Sequence, residues 1–207
     1  MKLGLVSDTH VPTSIRRLPR SLLDGLKRAC VNRILHAGDL TSTDVIVALQ
    51  QIAPTVAVAG NMDPSEVNSE IPKQAIIEAA GWKIGLQHGH QRHALQRRYI
   101  GQGYDQPEME LFYQAMATQL PNVQIIVFGH FHVPVIKVWQ GIVFINPGAV
   151  APSYGRSTFA VLELEPRVAA MGDSGQHDRR IARRDSTNVA SIPQGIRPRI
   201  VELPSFR

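Results

Sequence analysis

The chain has 207 residues, which is long enough for one domain with a substantial hydrophobic core. No apolar run approaches the ~20 residues of a membrane-spanning helix. The stretch from Leu3 to Val6 is too short for the core of a signal peptide. Cys30 is the only cysteine, which excludes an internal disulfide. Together these features predict a cytoplasmic protein without a membrane segment.

The net charge of +5 is concentrated near the C-terminus. Residues 167–207 contain eight arginines against four acidic residues, and their apolar residues follow no regular period. We therefore predict a folded domain over residues 1–166 and a basic tail over residues 167–207 that is disordered or loosely packed. The tail could bind nucleic acid through its charge. Because no aromatic residues are interleaved with the arginines, a solvated tail is the favoured interpretation.

The N-terminal part of the chain alternates between short apolar runs and amphipathic segments. The apolar runs predict strands over residues 2–7, 31–35 and 55–59, and the segments between them predict helices that begin near Ser21 and between Thr41 and Asp44. This order, with short connections, predicts a parallel sheet with right-handed crossovers. In such sheets ligands bind beyond the C-terminal ends of the strands.

The second half of the chain predicts a different arrangement. Residues 74–80 and 82–87 resemble a hairpin around Gly81, and apolar residues recur at helical spacing from Pro107 onward. The apolar run 123–128 predicts another buried strand. Further strands are predicted near residues 134–139, 142–146 and 157–164.

Polar residues follow the predicted strands in a pattern that suits metal binding. They are Asp8, His10, Asp39, Asn61, His88, His130 and His132. If the backbone after residue 128 stays extended, His130 and His132 project to the same side. These seven residues offer nitrogen and oxygen donors and no thiolate. They are too many for one tetrahedral ion, and they suit two hard or borderline divalent ions. Asp39 is the natural bridge, since a carboxylate can share its two oxygens between two metals.

The charge of such a site favours an anionic substrate. Two divalent ions, two aspartates and a bridging hydroxide leave a net charge of about +1, which attracts phosphate. Paired metal ions lower the pKa of a bridging water and stabilise both ends of an in-line displacement. We therefore expect hydrolysis of a phosphate ester by a metal-bridging hydroxide, without a covalent protein intermediate.

Five short motifs, in this order, resemble those of the calcineurin-like metallophosphoesterases. They are Asp8-x-His10, Gly38-Asp39, Gly60-Asn61-x-Asp63, His88-Gly89-His90 and Gly129-His130-x-His132. The resemblance covers residues 1 to about 164. It is strongest to the small bacterial and archaeal phosphodiesterase branch, whose eukaryotic relative is a retromer scaffold subunit. It implies an α/β fold, the four-layer α/β/β/α metallophosphoesterase sandwich.

The resemblance also implies a role for each metal ligand. It assigns Asp8, His10 and His132 to a first metal and Asn61, His88 and His130 to a second, with Asp39 shared by both. The family usually prefers manganese, although nickel, zinc, iron and magnesium occur. The predicted cofactors are therefore two divalent metal ions.

The chain departs from the family pattern at three positions near the motifs. Met62 stands where the protein-phosphatase branch has a histidine that protonates the leaving group. A general acid contributes ~10²–10⁴-fold to the rate, so we expect modest turnover and a preference for good leaving groups. Phe131 replaces a small hydroxyl residue, and Ala149 stands where serine is common. Neither is a predicted ligand, so both concern the fit of the substrate.

Other polar residues of the motifs are candidates for the site. The predicted catalytic residues are Asp39, Asn61 and His90, where His90 either contacts a phosphate oxygen or orients His88. Asp63 either orients a metal ligand or only caps a turn before Pro64. The residues left as candidates around the site are Asp63, His36 and Arg156, of which His36 is favoured as a structural histidine.

The sequence therefore predicts a metal-dependent phosphodiesterase that acts on a small phosphoester. The alternative from another class is a non-catalytic protein-binding scaffold with the same fold. The retromer relative has altered ligands, including Asn in place of Asp39, whereas this chain keeps all seven, which favours an enzyme. A third hypothesis is a nuclease assisted by the basic tail.

Overall fold

Two mixed β-sheets are the framework of the protein. A computed structural model describes residues 1–101, 103–167 and 191–204. The strands are β1 (Lys2–Val6), β2 (Arg33–His36), β3 (Thr55–Ala57), β4 (Gln74–Ala79), β5 (Trp82–Gln87), β6 (Ile125–Val127), β7 (Val135–Trp139), β8 (Ile142–Asn146), β9 (Thr158–Leu164) and β10 (Ile196–Glu202). The helices are α1 (Arg20–Arg28), α2 (Asp44–Gln50), α3 (Ser65–Glu70), α4 (His93–Gln96) and α5 (Glu110–Gln119), with a short 3-10 helix at Pro107–Met109.

The first sheet has the strand order β10-β9-β1-β2-β3. Strands β1, β2 and β3 are parallel, as the alternation of apolar runs and helices predicts, and β9 and β10 extend the sheet in antiparallel pairing. The second sheet has the order β4-β5-β6-β8-β7. Its centre, β5, β6 and β8, is parallel, and the predicted hairpin of β4 and β5 is confirmed.

The largest part of the core lies between the two sheets. Leu3, Leu5 and Leu35 of the first sheet are fully buried in one cluster with Ile84 and Val127 of the second sheet. Burying these side chains from both sheets is the main apolar contribution that holds the layers together. The strands are nearly continuous apolar runs because their other faces are covered as well.

Helices cover the outer face of each sheet. Leu22 and Leu26 of α1 and Leu49 of α2 are fully buried in a cluster with residues of the first sheet. Phe112 of α5 packs against Phe128, close to the second sheet, with 5.1 Å between ring centroids. The result is the predicted four-layer α/β/β/α sandwich. No helix among the described residues is both long and apolar enough to cross a bilayer.

One part of the basic tail, predicted to be disordered or loosely packed, forms a strand. Ile196–Glu202 forms β10, which pairs with β9 along its whole length, and Ile196 is buried in the core between the sheets. Arg197 and Arg199 alternate with residues that face the protein, so the arginines stay exposed on an edge strand that also tolerates Pro198. Residues 168–190 and 205–207 lie outside the described residues. The domain boundary at residue 166 stays a prediction.

Candidate metal centre

The polar residues predicted to meet at one edge of the fold do so. Asp8 and His10 follow β1, Asp39 follows β2, and Asn61 lies just beyond β3. His88 follows β5 of the second sheet directly, and the two remaining histidines follow β6. Both sheets therefore contribute to the site, which lies where the C-terminal ends of their parallel strands come together.

Four of these side chains form a first cluster. The donor atoms of Asp8, His10, Asp39 and His132 all lie within 4.8 Å of one another. His132 Nε2 is 3.3 Å from an Asp8 carboxylate oxygen, and His10 Nε2 is 3.4 Å from His132 Nε2. Two imidazole nitrogens and two carboxylates that converge on one point fit a single divalent ion.

A second cluster lies on the other side of Asp39. His88 Nε2 is 3.2 Å from Asp39 Oδ2 and 3.1 Å from Asn61 Oδ1. The ring of His130 packs against that of His88, with 5.2 Å between centroids. Asp39 Oδ2 is also 3.8 Å from His10 Nε2, so one carboxylate oxygen borders both clusters. The donor set contains only nitrogen and oxygen, which suits hard or borderline divalent metals.

Neighbouring groups hold the histidine rings in place. His88 Nδ1 donates a hydrogen bond to the carbonyl oxygen of Ala37 at 2.8 Å, which turns Nε2 toward Asp39. His132 Nδ1 is 3.1 Å from Ser153 Oγ, and His130 Nε2 is 2.8 Å from the side-chain amide of Gln96. No sequence signal points to Ser153 or Gln96, because each lies in a loop or short helix distant in sequence from the histidine it contacts.

The backbone of the centre is unusual. Asp8, His10, Asp39, His130 and His132 all have left-handed φ angles, between 46° and 69°. Such angles are rare for residues other than glycine, and they cluster where function requires a fixed geometry. The expectation of an extended backbone after residue 128 is therefore wrong, since β6 ends at Val127 and both histidines lie in left-handed turns.

The two aspartates bring concentrated negative charge into the protein. Asp8 is fully buried, and Asp39 is only 2% exposed. Burial disfavours the charge of Asp39, but its hydrogen bond with His88 and the charge of His88 outweigh this and lower the pKa of Asp39 to about 2. Burial likewise disfavours a charged His88, yet the hydrogen bond to Asp39 and the two carboxylate charges raise the pKa of His88 to about 9.

The raised pKa of His88 leads to a prediction for metal binding. A ligand imidazole must be neutral, so a metal ion at the second cluster competes with the proton on His88. We expect the affinity for Mn²⁺ to increase as the pH rises from about 6.5 toward 9, with release of protons. Calorimetric titration at several pH values, in buffers of different ionisation enthalpy, measures both quantities. A pH-independent affinity over this range would contradict the assignment of His88.

Asp63 connects two of the ligand loops. Its Oδ2 accepts hydrogen bonds from the backbone N–H groups of Asp39 at 3.1 Å and Gly60 at 2.7 Å, and its Oδ1 accepts one from Thr41 at 2.6 Å. The carboxylate is buried, so these hydrogen bonds fix the position of Asp39 relative to the loop that carries Asn61. This geometry supports an orienting role over a simple turn cap.

Replacing this carboxylate should weaken metal binding without removing a ligand. In Asp63→Asn an NH₂ group replaces one carboxylate oxygen. It faces backbone N–H groups whose hydrogen bonds that oxygen accepts in the wild type, and it cannot accept them. We expect a 10–100-fold loss of Mn²⁺ affinity, the range roughly typical of groups that orient metal ligands. Calorimetric titration measures it, with the exposed Asp24→Asn on α1 as the control. Equal affinities in the two variants would show that Asp63 only caps its turn.

His36 and His90 are two further candidates, and they differ in burial. His36 is fully buried, accepts a hydrogen bond from Gly38 N–H at 3.2 Å and contacts Thr9 Oγ1 at 3.1 Å. Burial lowers the pKa of His36 to about 3, which favours a neutral structural residue. His90 is half-buried, with its ring 5.6 Å from that of His88, and burial lowers its pKa as well.

Arg156 is expected near the site from the sequence, but its side chain is paired elsewhere. Its guanidinium pairs with the carboxylate of Glu202, with 3.0 Å between Nη2 and Oε2. Glu202 belongs to β10, a strand that the sequence pattern does not predict. The ion pair therefore holds the loop around Arg156 against the edge of the first sheet, and it gives the guanidinium a partner away from the metal ligands.

Known proteins resemble this chain in sequence and in fold. Residues 1–167 match the model of the calcineurin-like phosphoesterase superfamily domain. A probable metallophosphoesterase of Methanothermobacter thermautotrophicus is 33% identical over 152 residues, 72% of this chain and 77% of that protein. The zinc complex of Vps29 from Entamoeba histolytica matches with a TM-score of 0.63 and 26% identity, over 80% of this chain and 87% of Vps29.

A solved structure described as a novel archaeal phosphodiesterase is also similar. It has a TM-score of 0.58 and 25% identity, and the match covers 79% of this chain and 93% of that one. The family match spans β1 to β9, which include the whole second sheet, and every motif that supplies the candidate centre. The chain therefore belongs to the calcineurin-like phosphoesterase superfamily.

Proposed function

We propose that this protein is a phosphodiesterase that uses two divalent metal ions to hydrolyse a small phosphoester. The observation that carries the proposal is the position of Asp39, whose Oδ2 lies between His10 Nε2 at 3.8 Å and His88 Nε2 at 3.2 Å. One carboxylate that borders two donor clusters is the arrangement that a pair of metal ions requires. Mn²⁺ is the proposed metal, and Ni²⁺, Zn²⁺, Fe²⁺ and Mg²⁺ are alternatives.

The proposed ligand roles follow the two clusters. Asp8, His10 and His132 would hold one ion, Asn61, His88 and His130 the other, and Asp39 both. When bound, such a pair supplies Lewis-acid charge and a water of lowered pKa. The protein contributes the fixed positions of the ligands, which the left-handed turns and the surrounding hydrogen bonds define before any substrate binds.

Two residues define what the chain offers the phosphate group itself. His90 lines the cavity next to Asn61, and its lowered pKa keeps the ring neutral and able to donate one hydrogen bond to a phosphoryl oxygen. Met62 is 60% exposed, and its backbone N–H donates to Asp39 Oδ1 at 2.8 Å. Its side chain carries no proton for a leaving group, so the proposed enzyme favours good leaving groups.

The relatives support both the activity and its main alternative. The chain is similar to the archaeal phosphodiesterase and to Vps29, which was solved with bound zinc. The second candidate function is a protein-binding scaffold, favoured by the similarity to Vps29. All seven predicted ligands are present in this chain, six of them with donor atoms close to one another and His130 with its ring packed against His88, which supports an enzyme. A nuclease assisted by the basic tail and a cytoplasmic location stay predictions.

A metal-reconstitution assay tests the proposal. The protein is stripped with a chelator, divided, and reloaded with each of the five metals. Each sample is then assayed on an aryl phosphomonoester, an aryl phosphodiester and cyclic nucleotides. We expect diester hydrolysis that returns only with metal. Robust hydrolysis in the stripped protein would refute the proposal, and bound metal without turnover, together with a stable protein partner, would favour the scaffold.

A further inference from the structure

We propose that the metal centre takes a phosphodiester with two unlike ester arms. One arm carries a planar aromatic group of nucleobase size, and the other carries an anionic polar group. The inference rests on the proposed function and extends it to the substrate. It comes from two cavities that border the centre and are lined by different kinds of side chain, one by Ser, Asn and Lys, the other by aromatic and branched aliphatic residues.

The polar cavity has a volume of about 530 Å³ and adjoins the second cluster. Its lining residues are Ala59, Gly60, Asn61, Ser65, Asn68, Ser69, Lys73 and His90. Lys73 brings a positive charge, and the lining includes no carboxylate among the described residues. The side-chain amide of Asn68 already donates to the carbonyl oxygens of Asp63 and Pro64, so Lys73 remains the main group for recognising an anion.

The aromatic cavity has a volume of about 370 Å³ and lies beside His130. Its side chains that contribute apolar or aromatic surface are Ile100, Tyr104, Phe131, Val133 and Tyr154. Ile100, Val133 and Tyr154 are unusually exposed for their type, at 54%, 42% and 83%. Flat aromatic groups stack well on such surfaces, and the stacking depends little on the identity of the base.

Tyr154 is held at this cavity by an unfavourable backbone. Ser153 and Arg156 pair across a two-residue turn, in which Tyr154 and Gly155 have φ angles of 51° and 74°. Turns with two positive φ angles prefer Asn, Asp or Gly at both positions. A tyrosine there carries a conformational cost, and residues that break a local rule are expected at functional positions.

The same turn is attached to the centre. Ser153 Oγ is 3.1 Å from His132 Nδ1, and the Arg156 guanidinium pairs with Glu202. These contacts connect both ends of the turn to the rest of the protein and place Tyr154 one residue from the contact with a ligand histidine, with its ring exposed. An exposed aromatic surface next to the ligands serves recognition of one arm of the substrate.

Two cavities indicate two ester arms. The aromatic cavity borders His130, and the polar cavity borders Asn61 and His90, so the phosphorus would lie between them. Both volumes lie in the range of roughly 300–1,000 Å³ that small-molecule sites occupy. A phosphomonoester has a single arm and would fill one cavity only, whereas a diester fills both.

Substrate preferences of matched variants test the inference. The substrates are phosphodiesters that share one leaving group and differ in the second arm, which is aryl, methyl, or an alkyl chain with a terminal phosphate. We expect Tyr154→Asn to lower the aryl-over-methyl ratio of kcat/KM about 10-fold, while Tyr154→Phe keeps it. Asn suits the left-handed turn, so a folding defect is not expected to mask the result.

Lys73→Met tests the other cavity. We expect it to lower the preference for the phosphate-bearing arm about 3-fold at low ionic strength, and less at high salt, because Lys73 is exposed and screened. Lys27→Met on α1, far along the chain and exposed, is the control and should retain the wild-type preferences. Unchanged ratios in both Tyr154→Asn and Lys73→Met would overturn the inference.

A binding measurement separates this inference from the proposed function. Calorimetric titration of the Mn²⁺-loaded protein with a nucleoside 5′-monophosphate requires no turnover. Weaker binding to Tyr154→Asn than to Tyr154→Phe supports the aromatic subsite even if no diester is hydrolysed, in which case only the proposed activity fails. Equal binding to both variants would count against the subsite whatever the activity.

Discussion

Asp39→Asn is expected to lower the rate of metal-dependent diester hydrolysis by roughly 10³-fold or more, since metal ions contribute several kcal/mol and each 1.36 kcal/mol changes the rate tenfold. The reason is that Asp39 borders both donor clusters, so its loss affects both metal positions at once. The change keeps the size of the side chain and removes its charge. Steady-state kinetics with added Mn²⁺ measures the effect.

The matched control is Asp44→Asn, the same change in an exposed residue of the first turn of α2. It should retain wild-type kinetics and metal content. Thermal unfolding of both variants without metal separates a folding defect from a loss of the centre. If Asp39→Asn keeps more than about a tenth of the activity, a shift of at most one tenfold step in rate, Asp39 does not join two metal ions.

Gly129→Ala is expected to weaken metal binding at the first cluster, although Gly129 is not itself a proposed metal ligand. A Cβ at residue 129 would lie 1.8 Å from Ser7 Oγ and 2.7 Å from Asp8 Oδ2, which is far inside van der Waals contact. Either Asp8 or the loop that carries His130 must therefore move. A displacement of about 1 Å can cost 10²-fold in activity, and overpacking of this kind destabilises by about 1–3 kcal/mol.

Gly141→Ala provides the comparison. Gly141 has a φ angle of 80° in the turn between β7 and β8, and an added Cβ there meets nothing within 4 Å. This variant carries the backbone strain without a clash near the centre. We expect it to bind Mn²⁺ as the wild type does, whereas Gly129→Ala loses most of its affinity. Similar metal titrations for both variants would contradict this account of Gly129.

The sequence allows prediction of the sheet edge and of the residues that meet there. Asp8 and Asp39 follow the buried strands β1 and β2 of one sheet, and the rule that parallel strands share a C-terminal edge is enough to bring these two together. His88 follows β5 of the second sheet, so its place at the site is predicted by the family resemblance and not by this rule. The hairpin around Gly81 is also predictable, because a glycine separates two apolar runs of matching length. These are local patterns with one physical interpretation.

Other features depend on tertiary contacts that no local pattern records. The arginines and the proline of β10 obscure the strand pattern in the sequence. Its pairing with β9 explains why Ile196 is buried. Gln96 and Ser153 reach their histidines from distant loops. His130 and His132 lie in left-handed turns, in which the His130 N–H group donates to the Asp8 carboxylate, whereas the sequence pattern indicates a continued strand.

The central claim is that two metal ions bind to one chain and share Asp39. Native mass spectrometry of Mn²⁺-loaded protein counts the ions directly. The account predicts two ions for the wild type, one for His132→Ala, one for His88→Ala, and fewer than two for Asp39→Asn. A wild-type protein that binds a single ion, or variants of both clusters that retain two, would contradict it.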